Sequence, residues 1–104
     1  TCEAARQHGK WVGVCGGLAS EPAAIAILIG LGVKELSVSV PAIATIKAKI
    51  REYRQSDAEI LARRALSCAN AREVRELAAH ATEPGNLHSD FNLSTNELTT
   101  GDYL

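Results

Sequence analysis

Residues 9–22 read GKWVGVCGGLASEP, Gly9 to Pro22. A short apolar run, Trp11 to Val14, ends on Cys15. Two glycines follow, and then a helical pattern begins. Strand formers that stop at small residues and give way to a helix mark the start of a βα unit. The same order recurs once: ELSVS, Glu35 to Ser39, is rich in strand formers and is followed by a helical pattern from about Pro41 to Tyr53. Strand, helix, strand, helix favours parallel strands joined by helical crossovers, an α/β arrangement.

The first helix is expected over Pro22 to Leu31. Ser20 is positioned to cap it, Glu21 suits the positive end of its dipole, Pro22 is tolerated in the first turn, and Gly30 and Gly32 end it. It is apolar nearly all round, which implies cover on several sides. In the second helix Ile43, Ile46 and Ile50 repeat at intervals of three and four, with Lys47, Lys49 and Arg51 on other faces. SDAE, Ser56 to Glu59, has the form of a capping box, and NARE, Asn70 to Glu73, is its asparagine-led analogue. Two amphipathic helices are expected there, about Asp57 to Cys68 and Ala71 to His80. Past Pro84 and Gly85 the composition turns to Asn, Ser, Thr and Asp. The chain therefore divides into residues 1–80 and a polar tail, 81–104.

A chain of 104 residues suits one small domain. Hydrophobic residues at 46% and charged residues at 22% give the profile of a soluble globular protein. The net charge of −1 argues against the basic surface of a nucleic-acid binder. Cys2, Cys15 and Cys68 are odd in number and widely spaced, which fits a reducing cytoplasm better than a disulfide framework or a zinc site. The longest apolar run, Pro22 to Val33, is shorter than the roughly 20 residues of a membrane span, so no membrane insertion is expected. The start at Thr1 and the lack of methionine read as a fragment or a processed chain. Two parallel strands do not make a stable sheet, so the segment should belong to a barrel or open sheet completed by other chain or other subunits.

In parallel α/β folds, sites form where strands end and helices begin. Cys15 stands there, and Gly16 and Gly17 leave backbone amides uncovered just before a helix, which suits a phosphate or carboxylate. A thiol in that setting is a candidate nucleophile or acid–base. The plainer reading is a buried cysteine before a glycine turn. The spacing matches neither the G-x-G-x-x-G dinucleotide fingerprint nor the P-loop.

Taken together, GKWVGVCGGLASE, IGLGVKELSVSVPAIATIKAKIR and DAEILARRAL resemble the C-terminal end of bacterial Enzyme I. That family comprises the phosphoenolpyruvate–protein phosphotransferases of the sugar phosphotransferase system and is also found inside multiphosphoryl transfer proteins. Its pattern reads approximately G-K-W-x-G-M-C-G-E-L-A-G-D, then L-L-G-x-G-x-x-E-[FL]-S-[MV]-S. The match runs from about Gly9 to Leu77. Pyruvate phosphate dikinase and phosphoenolpyruvate synthase share the G-x-C-G core, but ELSVSVPAIATIK is closer to Enzyme I. The resemblance implies the last two βα units of a (β/α)8 barrel, followed by a helical pair, that binds phosphoenolpyruvate and magnesium. It implies that Cys15 is the acid/base on the enolpyruvate methylene carbon and that Gly16 lets the substrate approach. A phosphocarrier protein is implied as the partner of the full enzyme. The chain departs from the pattern at Gly17, Ser20 and Glu21, where the family has Glu, Gly and Asp; the first change removes a carboxylate beside the acid/base.

The tail stretch FNLSTNELTTG, Phe91 to Gly101, is similar to a second Enzyme I signature, approximately F-S-I-G-T-N-D-L-T-Q-Y. That likeness implies Asn96 as a contact to the substrate phosphate and Glu97 as a magnesium ligand. In the family this signature precedes the cysteine motif, whereas here it follows. A rearranged gene, a remnant of a second copy and chance similarity are the three accounts of that order. Elsewhere, Trp11 is expected to pack between strand and outer helix, Ser39 to cap the helix from Pro41, and the arginines to form ion pairs on solvated helix faces. Beside the catalytic reading stand a non-catalytic oligomerisation module, since the apolar helix needs cover, and an inactive truncated product.

Overall fold

A computed structural model describes residues 1–82. Asn96 and Glu97, with the rest of the tail signature, lie outside the described residues. A short helix α1 (Cys2–Gln7) leads to strand β1 (Gly13–Cys15), a one-turn 3₁₀ helix (Gly17–Ser20) and helix α2 (Pro22–Gly30). Strand β2 (Glu35–Ser37) follows, then a second 3₁₀ turn (Val40–Ala42) and helices α3 (Ile43–Arg51), α4 (Gln55–Leu66) and α5 (Ala71–Thr82). The two strands pair in parallel, with Gly13 opposite Glu35, Val14 opposite Leu36 and Cys15 opposite Ser37. The expected βαβ unit is therefore present, with strands shorter than the apolar runs that announce them.

Helix α2 begins with Pro22 in its first turn, as expected. Its N-cap, however, is Glu21, and no side chain caps it. Ser20 is occupied as the last residue of the 3₁₀ turn, so it does not reach the cap position. At the far end, the amides of Gly32 and Val33 donate to the carbonyls of Ile29 and Leu28 at 3.0 and 3.1 Å, closing the helix through the left-handed Gly32 (φ +94°). Gly30, expected to help end the helix, has another duty. A Cβ there would collide with the backbone carbonyl of Ala58 and approach the Ala62 side chain to 2.8 Å. Gly30 is what lets α2 and α4 touch backbone to backbone.

That approach organises the core. Helix α2 packs most extensively on α4, and also on α5 and α3. Ile25, Ala26 and Leu28 of α2 are buried, with Ala58, Leu61 and Ala62 of α4, Ile46 of α3 and Ala78 and Ala81 of α5. Ala26, Leu61 and Ala81 form a central cluster against which Ile27, Tyr53, Ile60 and Leu77 pack. Much of the apolar surface of α2 is thus met inside the chain, while Ile27 and Ile29 stay half-buried. Tyr53 brings a hydroxyl into this cluster that is buried with no hydrogen-bond partner among the described residues. Burial raises its phenol above the ordinary value of 10.0; the Lys49 ammonium, 5.8 Å from the ring centroid, partly opposes that rise. Lys49 itself is held by Glu52 at 2.8 Å, and this hydrogen bond raises its own pKa.

The helix starts separate the two capping motifs. SDAE does not cap: α4 begins at Gln55 after an extended Arg54, which puts Ser56 inside the first turn. Gln55 instead donates to Glu59 at 3.0 Å. NARE does cap: the Glu73 amide donates to Asn70 Oδ1 at 3.0 Å, and the Glu73 carboxylate accepts from the Ala69 amide at 2.8 Å. Helix α5 runs two residues beyond the expected His80, far enough to bury Ala81. Ser39 precedes the second 3₁₀ turn through its backbone oxygen, which accepts from Ala42 at 2.9 Å, and its side chain makes no cap. An exposed Arg72–Glu76 contact at 3.9 Å is an ion pair of the expected i,i+4 kind.

Candidate functional site

Alternation along the strands gives the small sheet two unlike faces. Val14 and Leu36 are half-buried, whereas Gly13, Cys15, Glu35 and Ser37 are exposed. Trp11 is 67% exposed, not sandwiched against an outer helix as expected. Its ring edge lies over Gly13, where a Cβ would come within 3.3 Å of it. A side chain at Gly13 would therefore displace the indole.

Cys15 is the last residue of β1, a free and exposed thiol on the bare face. Gly16 turns the chain at once, with φ +84° and ψ −165°, a conformation essentially restricted to glycine. The chain then winds into the 3₁₀ turn, where the Ala19 amide donates to the Gly16 carbonyl at 3.1 Å and the Glu21 amide to Leu18 at 3.2 Å. Ala19, fully buried, pins the turn from below, while Leu18 on the same turn is 56% exposed. A Cβ added at Gly16 or Gly17 would meet no described atom within 4 Å. The thiol therefore borders open space, with a backbone bend beside it that only glycine makes cheaply. At the matching end of β2, Val40 in the second 3₁₀ turn is 80% exposed.

Residues 1–55 match the family described as PEP-utilising enzyme, PEP-binding domain. The chain belongs to this family of phosphoenolpyruvate-utilising enzymes. It is 53% identical over 77 residues to a multiphosphoryl transfer protein of Rhodobacter capsulatus, covering 74% of this chain and 9% of that protein. A multiphosphoryl transfer protein of Xanthomonas campestris is 47% identical over 79 residues, covering 76% of this chain and again 9% of its own length. A phosphoenolpyruvate-protein phosphotransferase of Staphylococcus carnosus is 38% identical over 81 residues, covering 78% of this chain and 14% of that protein. The chain thus spans about a tenth of the length of these curated relatives. No described helix is long and apolar enough to cross a membrane.

Of the residues expected at the site, the PEP-binding-domain fold brings together Cys15 and Gly16, at a strand end on an open face. It does not join them to a metal cage: among the described residues, no three of His, Cys, Asp and Glu are grouped so as to hold an ion. The uncovered amides expected before the helix lie at a 3₁₀ turn, since α2 starts only at Pro22. Ser37, one of two serines near the end of the second strand run that could reach a ligand at the strand ends, stands in register with Cys15. Each lies at the end of its own strand run, but the register that makes them partners is set by packing and leaves no mark in either run alone.

Proposed function

We propose that this segment supplies the last two βα units and the following helices of a (β/α)8 barrel in a longer phosphoenolpyruvate–protein phosphotransferase of Enzyme I type. Residues 1–80 are the barrel piece in this reading. Cys15 is its acid/base, Gly16 leaves room for substrate, and the tail contributes Asn96 toward the phosphate and Glu97 toward magnesium. The observation that carries the proposal is Cys15 at the end of β1, on the exposed sheet face, followed by the sharp bend at Gly16 in a chain of this family.

In this reaction the phosphoryl group of phosphoenolpyruvate leaves for a histidine on another domain. The phosphorus–oxygen bond breaks, and its electron pair stays on the enolate. The enolate carbon then takes the proton of the Cys15 thiol, the sulfur keeps the S–H electron pair, and pyruvate is released. The phosphoryl group passes on to a phosphocarrier protein, as part of sugar uptake. An exposed thiol suits the proton step because it meets the methylene carbon without displacing any side chain from the bend.

The test is complementation. The chain is mixed with an Enzyme I truncated before the equivalent residues, and pyruvate release from phosphoenolpyruvate is followed with magnesium present. Restored release that falls about 100-fold or more with Cys15→Ala fits the loss of a general acid–base. Restoration indifferent to that change would instead support the second reading, a structural or oligomerisation module, which the missing carboxylate at Gly17 favours. No restoration in any mixture would favour an inactive product.

A further inference from the structure

We propose that Ser37 is a positioning residue for Cys15, its hydroxyl donating a hydrogen bond to the sulfur once the thiol has given up its proton. The inference rests on the reading of Cys15 as the acid/base and adds a residue to it. Cys15 and Ser37 are the closing pair of the parallel register. Adjacent strands lie about 4.8 Å apart, so side chains on one rung and one face are neighbours. Both residues are exposed, while Val14 and Leu36 one step earlier are half-buried, which puts the thiol and the hydroxyl on the same face. The neighbouring rung of that face holds Gly13, with the Trp11 ring over it, opposite Glu35. A thiolate is a strong acceptor and a serine hydroxyl a free donor. The bond would steady the sulfur after it protonates the enolate and hold it for the next proton.

The experiment is competitive alkylation of the full 104-residue chain with iodoacetamide at a fixed near-neutral pH, with each cysteine followed separately by peptide mass spectrometry. Cys2 and Cys68 serve as internal controls. A donated hydrogen bond enlarges the thiolate fraction several-fold, and the accompanying fall in nucleophilicity cancels about half of that on a logarithmic scale. Cys15 should therefore react about twofold or more slowly in Ser37→Ala. Ser37→Thr should restore the original rate, and Cys2 and Cys68 should not change. An unchanged Cys15 rate in Ser37→Ala would overturn the proposal. So would a threonine variant that behaves like alanine, or three cysteines that move together or react alike throughout. The readout involves no turnover, so loss of the catalytic reading in the complementation assay and loss of the Ser37 contact are told apart.

Discussion

The helical half of the chain and its sheet half are built on opposite terms. Around α2, backbone meets backbone at Gly30, and alanines fill the space between helices. Around Cys15, a Cβ added at either of two glycines would touch no described atom. The helices close a core from their own residues. The two strands leave one face, two sheet edges, Trp11, Leu18 and Val40 uncovered. Stability is therefore concentrated away from the thiol, and the site end awaits material that residues 1–82 do not supply. Parallel strands are normally covered on both faces, and small sheets need three or more strands. The proposed barrel meets both needs.

The contrast breaks most visibly at Gly30. Gly30→Ala should destabilise the chain by about 4 kcal/mol, at the upper end of single substitutions, because a whole helix must move rather than a side-chain tip. Urea unfolding followed by circular dichroism gives the value, and a change under about 1 kcal/mol would mean that α2 and α4 do not meet as described. Next in size is Asn70→Ala, which removes the side-chain acceptor for the Glu73 amide and should cost about 1 kcal/mol. Ser56→Ala, at the motif that does not cap, should cost less than half of that in the same titration.

Tyr53 offers a smaller and pH-dependent test. Its folded-state phenol is raised above 10.0 by burial, so the protonated hydroxyl favours the fold, and that contribution is lost as pH climbs through the folded value. The Lys49 amine is raised above 10.5 in the folded chain, so its charged form favours the fold and its contribution fades in the same alkaline range. Stability should thus fall above about pH 10. Tyr53→Phe should lessen that fall and gain up to about 1 kcal/mol near neutrality, since it deletes a buried hydroxyl that lacks a partner among the described residues. A thermal-melt series from pH 7 to 11 reads both effects, and a Phe variant less stable at pH 7 would show that the hydroxyl is bonded after all. The smallest change belongs to the sheet half. Gly17→Glu adds the carboxylate that the Enzyme I resemblance implies, where a Cβ meets no described atom, and should alter stability by no more than about 0.5 kcal/mol. A larger loss in the same melts would show that the turn after Cys15 is crowded.

Much of this was legible in the residues. The strand-then-helix order, the apolar run of α2 and the asparagine-led cap at Asn70 all follow from local chemistry that neighbours in sequence determine. The family was legible too, because the motif around Cys15 is long and unusual. What failed shares a cause, which is competition from residues distant in sequence or from the adjoining turn. Ser20 looked like a cap until the 3₁₀ turn claimed it. Gly30 does stand at the helix end as expected, but its close contact with Ala58, 28 positions along the chain, left no local mark. Trp11 looked like a core residue because indoles usually are, and here its ring lies over Gly13 on the open side. The pairing of Cys15 with Ser37 was invisible for the same reason, since register belongs to the sheet and not to either strand.

The close approach at Gly30 also bears on how this family can drift. A position where the smallest side chain strikes a main-chain carbonyl is closed to substitution in every descendant that keeps the two helices together. At Gly17, by contrast, an added Cβ would meet no described atom within 4 Å, so that position leaves a side chain somewhere to start. At Gly30 the demand for glycine comes from a neighbouring helix, and at Gly16 it comes from the path of the chain itself.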